Sequence, residues 1–114
     1  MEDCLFCKIS AGEMDTDFVY QDENVVVFED INAQAPVHLL IVPRKHISDL
    51  NRLQPEDNDL IGHVYQVAKK MAAEHDIAES GYRLVSNCGE QGGQTVYHIH
   101  FHLLGGRNLQ WPPG

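Results

Sequence analysis

Basic residues are scarce in this chain: 8 Lys and Arg stand against 17 Asp and Glu, for a formal net charge of −9. That deficit argues against long nucleic acid as a partner, because such binding draws on many cationic contacts to phosphates. It leaves room for a small nucleotide held by a local cluster of donors. Long apolar runs are missing too, and no stretch approaches the ~20 residues of a membrane span. The opening Met1-Glu2-Asp3-Cys4 is acidic and lacks the basic and apolar regions of a secretory signal. The expectation is a cytoplasmic protein with no membrane attachment. Cysteines number three, too few and too odd for a disulfide framework. Cytosolic thiols stay reduced, so Cys4 and Cys7 read as free thiols or metal ligands, and Cys88 as a small packed residue. Repeats, low-complexity segments and linkers are also absent. The 114 residues, 43% of them apolar, therefore read as one folded domain, 1–114, with a single core.

Phe6 to Ala11 reads as a short helical turn stopped at Gly12. Val19 to Gln21 and Val25 to Phe28 read as strands around the polar Asp22-Glu23-Asn24 turn. Val37 to Val42, dense in β-branched residues and closed by Pro43, reads as a buried strand. Pro55-Glu56-Asp57 opens a helix with proline and acids in its first turn. Leu60, Ile61, Val64, Val67, Ala68 and Met71 then recur at helical spacing until about Glu74. Tyr82 to Cys88 and Val96 to Leu104 read as two more strands, separated by the glycine-rich Gly89 to Gly93. The expected class is α+β, with a mostly antiparallel five-stranded sheet, one long helix on a face and a short N-terminal helix. The tail, 105–114, carries the only Trp, and Trp111 buries large area only by docking on another surface, a partner subunit being one candidate.

Three of the seven histidines, His98, His100 and His102, alternate with Ile99, Phe101 and Leu103. On a strand this puts the imidazoles on one face and the apolar groups on the other. The regular apolar partners weigh against a merely solvated polar face. Two readings remain. Histidines at i and i+2 can ligate zinc around an activated water. Alternatively, a neutral imidazole can attack phosphorus and form a covalent intermediate while its neighbours move protons. Gly92-Gly93-Gln94-Thr95 leads directly into this stretch. Glycines let backbone N–H groups approach an anion closely, and Gln94 and Thr95 add an amide and a hydroxyl. Phosphate contact, and with it the nucleophilic reading, is favoured.

His98-Ile99-His100-Phe101-His102-Leu103-Leu104 resembles the signature of the histidine-triad (HIT) superfamily. Gly93-Gln94-Thr95-Val96-Tyr97, Gly105-Gly106-Arg107, Asp30-Ile31, Gln34-Ala35-Pro36-Val37-His38, Pro43-Arg44-Lys45-His46-Ile47 and the terminal Trp-Pro-Pro-Gly resemble its nucleotide-binding Hint branch. The resemblance implies a HIT-like fold, with sheets joined across a homodimer. It implies a purine nucleoside phosphoramidase that releases AMP from adenosine 5′-phosphoramidates and aminoacyl-adenylate-like compounds. The family's nucleophile falls on His100, which would form a nucleotidyl-histidine; His102, His38 and His98 are its implied catalytic companions. Phosphate contacts map to Asn87, Gly93, Gln94, Thr95, His100 and His102, and nucleoside contacts to Asp30 and Ile31. Trp111 would shape the leaving-group pocket across the dimer. No catalytic metal is required.

Cys4-Leu5-Phe6-Cys7 has a spacing familiar in zinc sites, but structural zinc takes four ligands. His46 and His98 would complete the set, an arrangement that some bacterial histidine-triad proteins resemble; the alternative is two buried thiols flanking Phe6. His63, His75, Lys69 and Lys70 read as solvated helix residues. One departure stands out: the family often has Ile-Pro after the first Gly-acid pair, whereas this chain reads Gly12-Glu13-Met14-Asp15. Competing functions are dinucleoside polyphosphate hydrolysis, a nucleotide-binding interaction module with incidental catalysis, and a metallohydrolase.

Overall fold

A computed structural model describes residues 3–114. Helix α1 (Leu5–Ser10) leads into strands β1 (Tyr20–Gln21), β2 (Val25–Glu29) and β3 (Val37–Pro43). Two 3-10 turns, Leu50–Arg52 and Pro55–Asp57, precede the long helix α2 (Asn58–Glu74), and β4 (Tyr82–Val85) and β5 (Phe101–Gly105) complete the chain. The sheet order is β1-β2-β3-β5-β4, every pair antiparallel. The expected α+β architecture with five antiparallel strands, one long helix and one short one is what the chain forms.

Alternation on the central strands divides the interior in two. Val25, Val27, Leu39 and Ile41 face α2 and pack with Val64, Val67, Met71, Ile99, Phe101 and Leu103. Val26, Phe28, Leu40 and Val42 face the other way and are covered by Phe6 and Ile9 of α1. The sheet is thus buried on both faces, which explains why β2 and β3 are near-continuous apolar runs. Each such buried side chain contributes ~1.5–3 kcal/mol of hydrophobic stabilisation.

The turns are held by specific polar groups. Asp22 Oδ1 accepts from the backbone N–H of Asn24 at 2.8 Å and of Val25 at 2.9 Å, closing the β1–β2 turn. Its Oδ2 accepts from Tyr20 at 2.8 Å and bonds His63 of α2 at 2.7 Å. His63 is therefore a tie between helix and sheet, where the sequence reading left it merely solvated. His75 likewise donates from Nδ1 to the Met71 carbonyl at the end of α2. Asp57 takes up the Gln54 N–H at 2.9 Å and Lys45 Nζ at 2.6 Å, fixing the start of α2 to the loop that carries His46.

Two strands are shorter than their apolar patterns imply. β4 ends at Val85 rather than Cys88, and β5 starts at Phe101 rather than Val96. The second difference has a clear cause. β3 ends at Pro43, which lacks an N–H to continue the ladder. The Pro43 carbonyl is taken by the His98 ring at 2.6 Å, and Ile99 N–H turns instead to Ile47 O. His98, in a bend, and His100 thus precede the strand instead of lying within it.

Candidate active site

Register places the imidazoles. Leu40 pairs with His102 and His38 with Leu104, so His38 and His102 share the face covered by α1 and sit diagonally across β3 and β5. Their Nε2 and Nδ1 atoms are 2.9 Å apart. His98 and His100 are buried, His100 being only 7% exposed. Phe6 of α1 stands edge-on to His100, ring centroids 4.9 Å apart.

The hydrogen bonds fix the tautomers of His38, His98, His100 and His102. Burial lowers the pKa of His98 and of His100, against the opposing pull of the carbonyl each one bonds. His102 is pushed down to about 4, by burial first and then by His100 and His38. All three are therefore neutral at pH 7. His100 Nδ1 lies 2.8 Å from the His98 carbonyl and must donate to it, which leaves the lone pair on Nε2. Among the described residues no hydrogen bond engages that nitrogen. His38 Nδ1 accepts from the Gln34 N–H at 3.0 Å, so its proton is on Nε2 and is donated to His102 Nδ1. His102 consequently carries its proton on Nε2. Asp30 Oδ2 stands 3.3 Å from His38 Nε2 and 3.9 Å from His102 Nδ1. Two adjacent imidazoles, 5.2 Å between centroids, thus offer opposite chemistry: a free lone pair on His100 and a free N–H on His102.

Both open into one cavity of about 870 Å³, walled by Leu5, Phe6 and Ile9 of α1, by Asp15, Thr16, Asp17 and Val19, by Phe28 to Ile31, and by Leu40, Thr95 and Val96. Asp30, Ile31, Thr95, His100 and His102 of the sequence-nominated set meet here; Asn87 and Gly93 lie outside the lining. The glycine loop is more internally committed than its sequence implies. Gln94 donates from Nε2 to Ser48 O and Val96 O and accepts the Gly89 N–H on Oε1, so its amide braces the loop. The Gly93 and Gln94 N–H groups bond Glu90 O and Gly89 O. A Cβ at position 92 would lie 2.3 Å from the Cys88 carbonyl, and Gly93 has φ +83°, so both glycines serve this tight turn. Among the described residues, the Thr95 hydroxyl and N–H carry no hydrogen bond and stay available at the cavity. The tail leaves Trp111 82% exposed; Arg83 holds the chain just before it through the Gln110 carbonyl at 2.9 Å.

A second cluster backs onto the first. Cys4, Cys7, His46 and His98 present one ligand atom each within 4.8 Å of one another. Cys4 caps α1, its sulfur accepting the Cys7 N–H. His98 donates Nε2–H to Pro43, so its Nδ1 lone pair faces Cys4 Sγ at 3.3 Å, Cys7 Sγ at 3.5 Å and His46 Nδ1 at 3.2 Å. A tetrahedral zinc shell at ~2.0 Å to nitrogen and ~2.3 Å to sulfur puts its ligands about 3.3–3.8 Å apart. The donor set and spacing fit a metal ion. Burial raises the Cys7 thiol pKa, reinforced by Cys4; a bound cation reverses that preference.

Fold and site define a histidine-triad protein. Residues 3–110 match the family model described as "Scavenger mRNA decapping enzyme C-term binding", and the chain belongs to that family of the HIT superfamily. An uncharacterized HIT-like protein of Synechococcus elongatus is 48% identical over 113 residues, 99% of this chain and 98% of its own. A HIT family hydrolase from Legionella pneumophila superposes with a TM-score of 0.97 at 51% identity, covering 98% of this chain and 100% of that one. A histidine triad nucleotide-binding protein from Candida albicans superposes with a TM-score of 0.82 at 30% identity, covering 96% of this chain and 83% of that one. The chain is thus like HIT family hydrolases. None of its described helices is long and apolar enough to cross a membrane.

Proposed function

We propose that this protein is a purine nucleoside phosphoramidase acting through a nucleotidyl-histidine. The observation that carries the reading is the pair of opposed tautomers facing one cavity: a lone pair on His100 Nε2 beside an N–H on His102 Nε2. In the first half-reaction His100 Nε2 bonds to the α-phosphorus. The P–N bond breaks, its electron pair going to the departing amine. The anionic phosphate favours protonated His102: the added proton goes on Nδ1, which would turn from the His38 N–H toward Asp30 Oδ2, 3.9 Å away, and the Nε2 proton passes to the amine, leaving an Nε2 lone pair. In the second half, neutral His102 takes a proton from the attacking water. The P–Nε2 pair returns to His100, and AMP leaves. Thr95 would donate to the phosphoryl oxygens, and Asp30 and Ile31 would contact the nucleoside.

Cys4, Cys7, His46 and His98 would hold zinc in a structural role, since four protein ligands leave no open position. Asn87 and Gly93, outside the cavity lining, would add phosphate contacts from the adjoining loops. In a homodimer, Trp111 of the exposed tail would meet a partner's site. Rapid-quench mass spectrometry with an adenosine phosphoramidate tests the reading. An AMP adduct on His100, abolished in His100→Asn, is expected; full-speed P–N cleavage by a folded His100→Asn overturns it.

A further inference from the structure

The cavity wall holds a feature that an anionic ligand does not explain. Asp15 and Asp17, flanking Thr16, line the same space as His100. His100 is more than nine-tenths buried, with Nε2 unpartnered toward this cavity, so a ligand reaches into it independently of the acids. Ring contacts then lead away from the nucleophile. His100 meets Phe6 at 4.9 Å, Phe6 meets Phe28 at 5.9 Å, and Phe28 meets Phe18, next to Asp17, at 6.5 Å. The nucleophilic ring is thus followed along the wall by Phe6 and Phe28, set edge-on, and Asp15 and Asp17 line the same cavity next to Phe18, which packs on Phe28; a nucleotide with its phosphate at His100 would present its base toward these carboxylates.

We infer that Asp15 and Asp17 read the outer edge of the base and make the site prefer guanine over adenine. The inference rests on the nucleotide reading of the cavity and names its substrate class. A carboxylate only accepts hydrogen bonds. Guanine's pairing edge offers two adjacent donors, N1–H and the 2-amino group, matched to two carboxylate oxygens. Adenine offers one donor, and its N1 lone pair opposes the second oxygen. A bidentate match of this kind discriminates by about tenfold or more, or about 1.4 kcal/mol per factor of ten. The phosphate's negative charge, held at the other end, does not meet these acids.

Equilibrium binding of GMP and AMP to the full-length protein tests this without turnover. GMP should bind at least about tenfold tighter, and the ratio should fall to within about twofold in Asp15→Asn/Asp17→Asn. Both side chains are exposed, and the single variants give the same readout should the double variant misfold. Equal affinity in the wild type overturns the inference. So does a ratio unmoved by the substitutions, including one in which the GMP and AMP affinities change together. Should neither nucleoside phosphoramidate be cleaved, the phosphoramidase reading fails while the GMP-to-AMP ratio still decides this one.

Discussion

Binding of AMP should draw a proton onto His102. In the free protein burial, His100 and His38 hold its pKa at about 4, so the imidazole is neutral at pH 7. A phosphate monoanion equivalent ~4 Å away, at the effective dielectric of ~20 that suits protein sites, favours the cation by about 4 kcal/mol. At 1.36 kcal/mol per unit, that is a rise of about 3 units, to near 7. The complex at pH 7 should therefore take up about half a proton that the free protein lacks. Because the pKa is raised on binding, the contribution to affinity is full below about pH 4 and is lost as pH rises through about 7. Isothermal titration in buffers of different ionisation enthalpy measures the uptake. His102→Gln serves as the reference and cancels protons exchanged by AMP itself. Equal uptake by wild type and His102→Gln would remove His102 as the proton carrier.

Two further outcomes follow from ties described above. Asp22 has its carboxyl pKa lowered from 3.8 to about 2: burial opposes the shift, but the Asn24, His63, Val25 and Tyr20 hydrogen bonds outweigh it. A depressed carboxylate contributes stability above its unfolded pKa that is lost as pH falls through its folded one. With the side chain 23% exposed, Asp22→Asn should cost about 1–2 kcal/mol at pH 7 and almost nothing near pH 2; urea unfolding at both pH values checks this, and a pH-independent cost refutes it. Cys4→Ala/Cys7→Ala should eliminate stoichiometric zinc in elemental analysis of untagged protein. It should also lower thermal stability by several degrees, since α1 loses its link to His98.

The histidine face was largely legible in the sequence because two simple signals coincide there. Alternation of His98, His100 and His102 with Ile99, Phe101 and Leu103 survives in the fold, with the apolar three in the core beneath α2. The Cys-x-x-Cys pair, with His46 and His98, converges on one point. What escaped sequence reading depends on partners distant along the chain. Nothing local says that Pro43's carbonyl will be taken by a histidine 55 residues on, and so that β5 will start late. Glycine content announced the turn before Thr95 but not that Gln94's amide would be consumed within it. His63 reads as solvated on its helix because Asp22 is 41 positions away. Asp15 and Asp17 carry no periodicity at all; only the cavity gives them a neighbour.

Position 98 divides its duties between two parts of one residue. Its main-chain oxygen orients the His100 ring, while its own ring is spent on Pro43, the two thiols and His46. Any replacement of that ring must therefore satisfy the Pro43 carbonyl and the cysteine pair at once, while the backbone path that aims His100 is kept.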